Sequence, residues 1–241
     1  MNAAIVTGAS GGLGAALVDV LLAEGWHVAG VARTRPPAAR ESYRFLRGDL
    51  GDVAGIAGVV QPLFDAIAAE HPLRVCLVNN AATITGVGVV GTLDPADVVA
   101  SLNVNLVAPC LLADLFCRTF GDEAVERRIV NVSSGAAQST LAGESLYCVA
   151  KAGLEMLTKS IAAERASASF HAVTIRPGII DTPMQAFARA QTKERLPSVD
   201  LFKGFHDNGL LVPADVVARK IVGRLVDAPV ENGRTYSYAE L

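Results

Sequence analysis

Short apolar runs rich in Val and Ile alternate along the chain with longer Ala- and Leu-rich stretches whose apolar positions recur at helical spacing. The short runs, at 3–7, 27–32, 43–46, 74–79, 128–133 and 171–176 with a last one near 234–238, predict about seven strands. Within them apolar residues are consecutive rather than alternate, the pattern of strands covered on both faces of a parallel sheet. The longer stretches, 12–24, 52–70, 95–119, 146–166 and 214–227, predict helices long enough to serve as crossovers between parallel strands. The expected architecture is therefore α/β, a doubly wound parallel sheet with helices on both faces. Neither a repeat nor a linker interrupts the pattern, so one domain over 1–241 is expected. The irregular stretch at about 181–212, with Pro183, Pro197, Gly204 and Gly209, predicts a loop and a short helix over a site. Ligands of such sheets bind beyond the carboxyl ends of the strands, so the residues that follow each strand are the ones to search for chemistry.

Composition narrows the function classes. Of 241 residues 51% are apolar and 19% charged, with a formal net charge of −3, which suits a globular domain and gives no basic stripe for nucleic acid. Cys76, Cys110, Cys117 and Cys148 lack metal-type spacing, as do the four histidines; no metal is expected, and the thiols read as reduced, in a cytoplasmic protein. The start, MNAAIVTGAS, runs directly into a strand without the layout of a signal peptide, and no apolar run is expected to cross a membrane. The glycosylation-like triplet Asn131-Val132-Ser133 ends an apolar strand and carries no weight.

The first strand is followed by Thr7-Gly8-Ala9-Ser10-Gly11-Gly12-Leu13-Gly14 and then by a helical pattern. A glycine-rich turn between strand and helix lets backbone approach a pyrophosphate, whose charge the helix N-terminus favours. After the second strand stands Arg33-Thr34-Arg35, where an enzyme using NAD often carries an acid to accept from the ribose hydroxyl. An arginine there pairs instead with a 2′-phosphate, which argues for NADP(H). Asp49, at the end of the third strand, is suited either to the adenine amino group or to a helix cap.

Tyr147 and Lys151 are four residues apart on one helix face, where an ammonium is expected to lower the phenol pKa and make Tyr147 a better proton relay. Upstream, a strand ends in Ser133-Ser134, and Ser134 is the preferred hydroxyl to bond a carbonyl oxygen beside the tyrosine.

In order and spacing, the glycine loop, Asn79-Asn80-Ala81-Ala82, Ser134, Tyr147-x-x-x-Lys151 and Pro177-Gly178 resemble the short-chain dehydrogenase/reductase family over nearly the whole chain. The resemblance implies a Rossmann-like fold in which Tyr147 is the acid/base, Ser134 orients the carbonyl, and Lys151 holds the nicotinamide ribose and tunes the tyrosine. It also implies that Asn105 holds a water of the proton relay, with Asn103 the alternative. By the same likeness Gly8, Ser10, Gly11, Gly12, Leu13, Gly14, Leu50, Asn80, Ala81, Ala82, Pro177, Gly178 and Ile180 contact the cofactor, and Thr182 its carboxamide. Two positions depart from the family: Ala82 stands for a usual glycine, and Gly11 for a basic residue common in NADPH enzymes.

Several stretches, among them Ser133 to Ala137, Tyr147 to Leu154 and Asp181 to Ala186, are similar to bacterial benzil reductases and their sepiapterin-reductase-like relatives. That implies NADPH-dependent reduction of one carbonyl of an aromatic 1,2-diketone, with Leu141, Leu146, Met184, Phe187, Phe202 and Phe205 as an apolar lining. A sepiapterin- or pteridine-like reductase or another alcohol dehydrogenase of the family, and a regulator that binds NADP(H) without chemistry, are the competing readings. Helices 95–119 and 146–166 carry apolar residues almost all round, and family likeness pairs them across a two-fold axis, so a homodimer or tetramer is expected.

Overall fold

The computed structural model describes residues 1–35 and 41–241. Seven parallel strands form one sheet: β1 (Asn2–Thr7), β2 (His27–Ala32), β3 (Tyr43–Arg47), β4 (Arg74–Asn79), β5 (Glu126–Val132), β6 (Phe170–Arg176) and β7 (Thr235–Ser237), in the order β3-β2-β1-β4-β5-β6-β7. The chain runs outward from β1 to β3 and then returns to β4, so the order reverses between β1 and β4 and opens a crevice at their carboxyl ends. Each central strand feeds two cores, which is why its apolar residues are consecutive. In β1, Ala4 and Val6 join a cluster with Leu17, Leu21, Val217 and Leu225, while Ala3 and Ile5 join one on the other face with Phe64, Leu112 and Phe116.

Helices α1 (Gly12–Ala23) and α8 (Ala214–Ile221) cover the first face, and α2 (Ile56–Ala69), α4 (Ala108–Thr119) and α5 (Ser145–Glu164) contribute to the second. The predicted helix 52–70 begins only at Ile56, because the preceding residues are used in two side-chain-closed turns. Asp49 Oδ1 accepts from the Gly51 amide at 2.9 Å, and Asp52 Oδ1 from the Gly55 amide at 3.1 Å. Asp49 is therefore not a helix cap.

The predicted helix 95–119 is α3 (Pro95–Leu102), capped by Asp94, then a π-helical turn Asn103–Val107, then α4. Against the sequence expectation, this continuous run Pro95–Thr119 is long and apolar enough to cross a membrane. Its α4 part packs on α2 and β4, as a core helix does. Over the site, 181–212 holds two short helices rather than one, α6 (Pro183–Arg189) and α7 (Val199–Asp207).

At the amino ends of the strands the buried pair Arg127-Arg128 acts as a plug. Arg128 Nη1 donates to the carbonyls of Leu225, Val226 and Ala228 at 3.0, 2.8 and 2.8 Å, ending the π-helical turn Val222–Asp227 that extends α8. Buried guanidinium groups that satisfy carbonyls explain why a core strand can open with charges.

Candidate active site

A cleft of about 1270 Å³ lies along the carboxyl ends of the strands, and every cofactor and catalytic candidate named from the sequence lines it except Asn105 and Arg35. At its centre α1 starts with no side-chain cap: Gly11 is extended, and the first-turn amides lack intrahelical acceptors. Close packing brings this helix end to the strand. A Cβ on Gly14 would sit 2.1 Å from the Gly8 carbonyl oxygen and 2.6 Å from Asn80 Nδ2. Thr7 ties the switch point together, its Oγ1 accepting from the Asn80 and Ala81 amides at 3.0 Å each. Ala82 is not among the residues with positive φ, so a Cβ is accommodated where the family has glycine. An uncapped helix N-terminus facing a cleft of this length is the cradle a dinucleotide pyrophosphate requires.

Toward the β2 end, Arg33 and Thr34 are exposed, and with Arg35, Phe45 and Arg47 they line an adjoining hollow of about 520 Å³. Arg35 lies over the Phe45 ring, 5.4 Å from its centroid. Arg47, at the end of β3, was not picked out from the sequence, although its signal was a basic residue at a strand end.

At the opposite end, β5 runs into the Ser133-Ser134 turn. Ser133 is buried and donates to Glu155 Oε1 at 2.9 Å, and Arg176 grips both oxygens of that carboxylate at 2.8 and 2.6 Å. With Ser133 anchored, Ser134 faces the cleft beside the Tyr147 phenol. Lys151, one turn further along α5, is buried; its Nζ donates to the Val132 carbonyl at 2.8 Å and lies 5.4 Å from the Tyr147 ring centroid.

The electrostatics differ from the expectation that Lys151 lowers the phenol pKa. Burial pushes the Tyr147 pKa well above its ordinary value, the nearby Glu144 raises it further, and the Ser134 hydroxyl opposes both. The ammonium is turned to the Val132 carbonyl, and burial holds its own pKa down to about 8.

Asn105 stands behind the cleft wall. It is fully buried, and its amide bonds both backbone groups of Thr83, accepting from N at 2.9 Å and donating to O at 2.7 Å. Asn103, the alternative, lines the cleft and donates to the Gly51 carbonyl at 3.1 Å. Thr182 caps α6, its Oγ1 accepting from the Gln185 amide at 3.4 Å, and its methyl lies 3.3 Å from a Cβ built on Gly12. Of the expected apolar lining, Leu141, Met184, Phe202 and Phe205 face the cleft. Leu146, in the first turn of α5, instead packs toward Gly86, and Phe187, on the short α6, is exposed. Ile84, Ala188, Leu201 and Glu144 line the cleft and were not picked out. The signal for Glu144 was an acid just ahead of the helix that carries Tyr147.

Residues 2–193 match the pattern described as short chain dehydrogenase. The chain belongs to the short-chain dehydrogenase family. Like other short-chain dehydrogenases it is an oxidoreductase that uses a nicotinamide cofactor. This short-chain dehydrogenase is 30% identical over 242 residues to the benzil reductase ((S)-benzoin forming) of Bacillus subtilis (strain 168), covering 100% of this chain and 99% of that relative. It is 31% identical over 249 residues to the sepiapterin reductase of Bos taurus, covering 95% and 91%. Among solved structures, a short chain dehydrogenase of Burkholderia cenocepacia J2315 in complex with NADP superimposes with a TM-score of 0.75 at 26% identity, covering 98% of this chain and 95% of that one.

Proposed function

We propose that this short-chain dehydrogenase is an NADPH-dependent carbonyl reductase acting on one carbonyl of an aromatic 1,2-diketone. The observation that carries the proposal is the Ser134–Tyr147 hydroxyl pair at the junction of the cleft's two halves, between a glycine-rich, arginine-ended half and an apolar end. In its reduced form the nicotinamide supplies a hydride to the carbonyl carbon. Tyr147 gives its proton to the carbonyl oxygen: the phenolic O–H bond breaks as the new O–H bond forms, and a phenolate remains. The raised phenol pKa keeps that proton in place until oxyanion charge develops, which suits the reductive direction. Ser134 donates to the same oxygen, and the buried Lys151, its Nζ held on the Val132 carbonyl, lines the cleft where it would hold the nicotinamide ribose. Asn105 keeps Thr83 and the adjoining cleft wall in register. Arg33, Arg35 and Arg47 together favour a 2′-phosphate, the charge that separates NADPH from NADH. Met184, Phe202 and Phe205 give an aryl group an apolar seat.

We assign a homodimer to the enzyme in solution, because Val99, Val149 and Met156 are exposed on α3 and α5 at 58%, 62% and 61%. Equilibrium sedimentation is expected to give twice the chain mass, and a fully active monomer refutes it. The cytoplasm suits the four free thiols. Steady-state oxidation of NADPH and of NADH with benzil and with simple ketones tests the function: faster benzil turnover with NADPH is expected, and no ketone reduction with either cofactor refutes it.

A further inference from the structure

The apolar end of the cleft contains one carboxyl group whose presence the chemistry above does not use. Glu144 is 4% exposed and lines the cleft, yet among the described residues its side chain has no hydrogen bond or ion pair. It occupies the cap position of α5 but does not cap: the helix start has no side-chain cap bond. Its backbone is fully used, the amide donating to the Leu141 carbonyl and the carbonyl accepting from the Cys148 amide. Its oxygens are not enclosed but reach the cleft, and a carboxyl set in a largely apolar wall without a protein partner finds its partner in what fills the cleft.

We infer that Glu144 is the second recognition point for substrate, and that as a neutral carboxylic acid it donates a hydrogen bond to the second carbonyl oxygen of a 1,2-dicarbonyl compound. The inference rests on the reductase function proposed above and specifies its substrate class. Glu144, at the cap of α5, and Tyr147, in its first turn, line the same cleft and are near enough for the charge of one to act on the other, so their polar ends address one ligand. Tyr147 and Ser134 take the oxygen of the carbonyl that is reduced, and a vicinal carbonyl presents its oxygen to Glu144.

The surroundings decide which form of the carboxyl acts. On its own helix the titratable neighbours are Tyr147, Cys148 and Lys151, and the Lys151 ammonium is spent on the Val132 carbonyl. From the segment packed over Gly143, Arg195 directs its guanidinium to the Val87 carbonyl at 3.4 Å. Asp97, from α3, approaches the neighbouring Gly86. Among the described residues no cation is therefore turned to Glu144, and burial pushes its pKa up, to about 7. A carboxylate there also opposes the negative charge that forms as Tyr147 gives up its proton, whereas the neutral acid does not.

The test compares 1-phenylpropane-1,2-dione with propiophenone, one carbonyl apart, as the ratio of their kcat/KM values with NADPH. The ionisation of Tyr147 affects both ketones and cancels in the ratio. Wild type is expected to favour the dione at low pH and to lose about tenfold of that preference as pH rises through about 7. Glu144→Gln, whose amide donates at every pH, is expected to keep the preference and lose its pH dependence. Glu144→Leu is expected to lose the preference throughout, with NADPH binding measured on each variant to establish that it is folded. A Glu144→Leu protein that keeps the dione preference overturns the inference. So does a Glu144→Gln protein that loses it while an α-amino ketone gains on wild type with rising pH, since the carboxylate would then be an acceptor. If wild type reduces neither ketone, the reductase function itself fails, a result separate from any change of ratio.

Discussion

Replacing Gly14 by alanine tests whether close approach at the phosphate loop holds the cleft together. Gly14 and Gly58 are each the third residue of their helix, α1 and α2, and on propensity alone alanine at either should stabilise by about 1 kcal/mol. Their surroundings differ. A Cβ on Gly58 meets nothing within 4 Å, whereas one on Gly14 meets the Gly8 carbonyl oxygen at 2.1 Å, when ordinary contact begins at 3.4 Å. The obstacle is backbone, so α1 itself must retreat by more than an ångström. Overpacking of this kind costs about 1–3 kcal/mol or somewhat more, and a clash with rigid backbone belongs at the upper end. After the propensity gain is deducted, Gly14→Ala is expected to lose about 2 kcal/mol, a Tm lower by about 4–8 °C for a chain of this size. The same retreat displaces the first-turn amides, so NADPH affinity should fall by about tenfold or more. Thermal denaturation of both variants, with cofactor titration by nucleotide fluorescence, measures the two effects. A Gly14→Ala protein that matches Gly58→Ala in Tm and binds NADPH like wild type refutes the reasoning.

Three further outcomes follow from the site. Tyr147→Phe should lower kcat by at least about 10²-fold while leaving NADPH binding close to wild type, and a loss smaller than about tenfold would remove Tyr147 from proton transfer. Arg33→Ala should raise the KM for NADPH and leave that for NADH nearly unchanged, a charge-assisted contact being worth about 1.5–3 kcal/mol, and equal effects on both would show that Arg33 does not meet the 2′-phosphate. Because the Glu144 pKa is raised to about 7, its neutral form contributes stability that is complete below the ordinary carboxylic value near 4.5 and lost as pH rises through about 7. The unfolding free energy of Glu144→Gln relative to wild type should therefore climb between about pH 5 and about pH 8, by an amount on the order of 3 kcal/mol in denaturant titrations, and a gap independent of pH would show that the carboxyl does not titrate there.

The strand pattern was legible because two-sided burial leaves an unmistakable record: residues such as Ala3, Ala4, Ile5 and Val6 are apolar in succession, each adding to one of two cores. The glycine loop, Ser134, Tyr147 and Lys151 were legible because their chemistry is tied to short spacings after strands, and the fold brings them to one cleft. What could not be read was direction and competition. The preference of Lys151 for the Val132 carbonyl depends on where β5 ends relative to α5, a distance in space that the Tyr147–Lys151 spacing does not encode. Asp49 suited either the adenine amino group or a helix cap by residue type, and the late start of α2, with the Asp49 carboxylate closing a turn onto the Gly51 amide, removes the cap. The π-helical turn around Asn105 has no signature in apolar periodicity; it turns Asn105 onto Thr83 while Asn103 keeps the cleft. Leu146 and Phe187 were misplaced because each stands in the first turns of a helix, where the side it faces is set by the loop that leads in.

The arginine plug gives the molecule a division of labour between its two ends. Arg74, Arg127 and Arg128 tie the amino ends of β4 and β5 to Val226, Phe120 and Leu225, far from the cleft at the carboxyl ends. The segments that shape the substrate end, 134–144 and 183–205, hang on the other ends of the same sheet. Substrate choice and foldedness are thus written in separate parts of the chain. Lineages or engineers can rewrite the loops for a different ketone while inheriting the foundation unchanged, and damage to the foundation would silence every specificity alike.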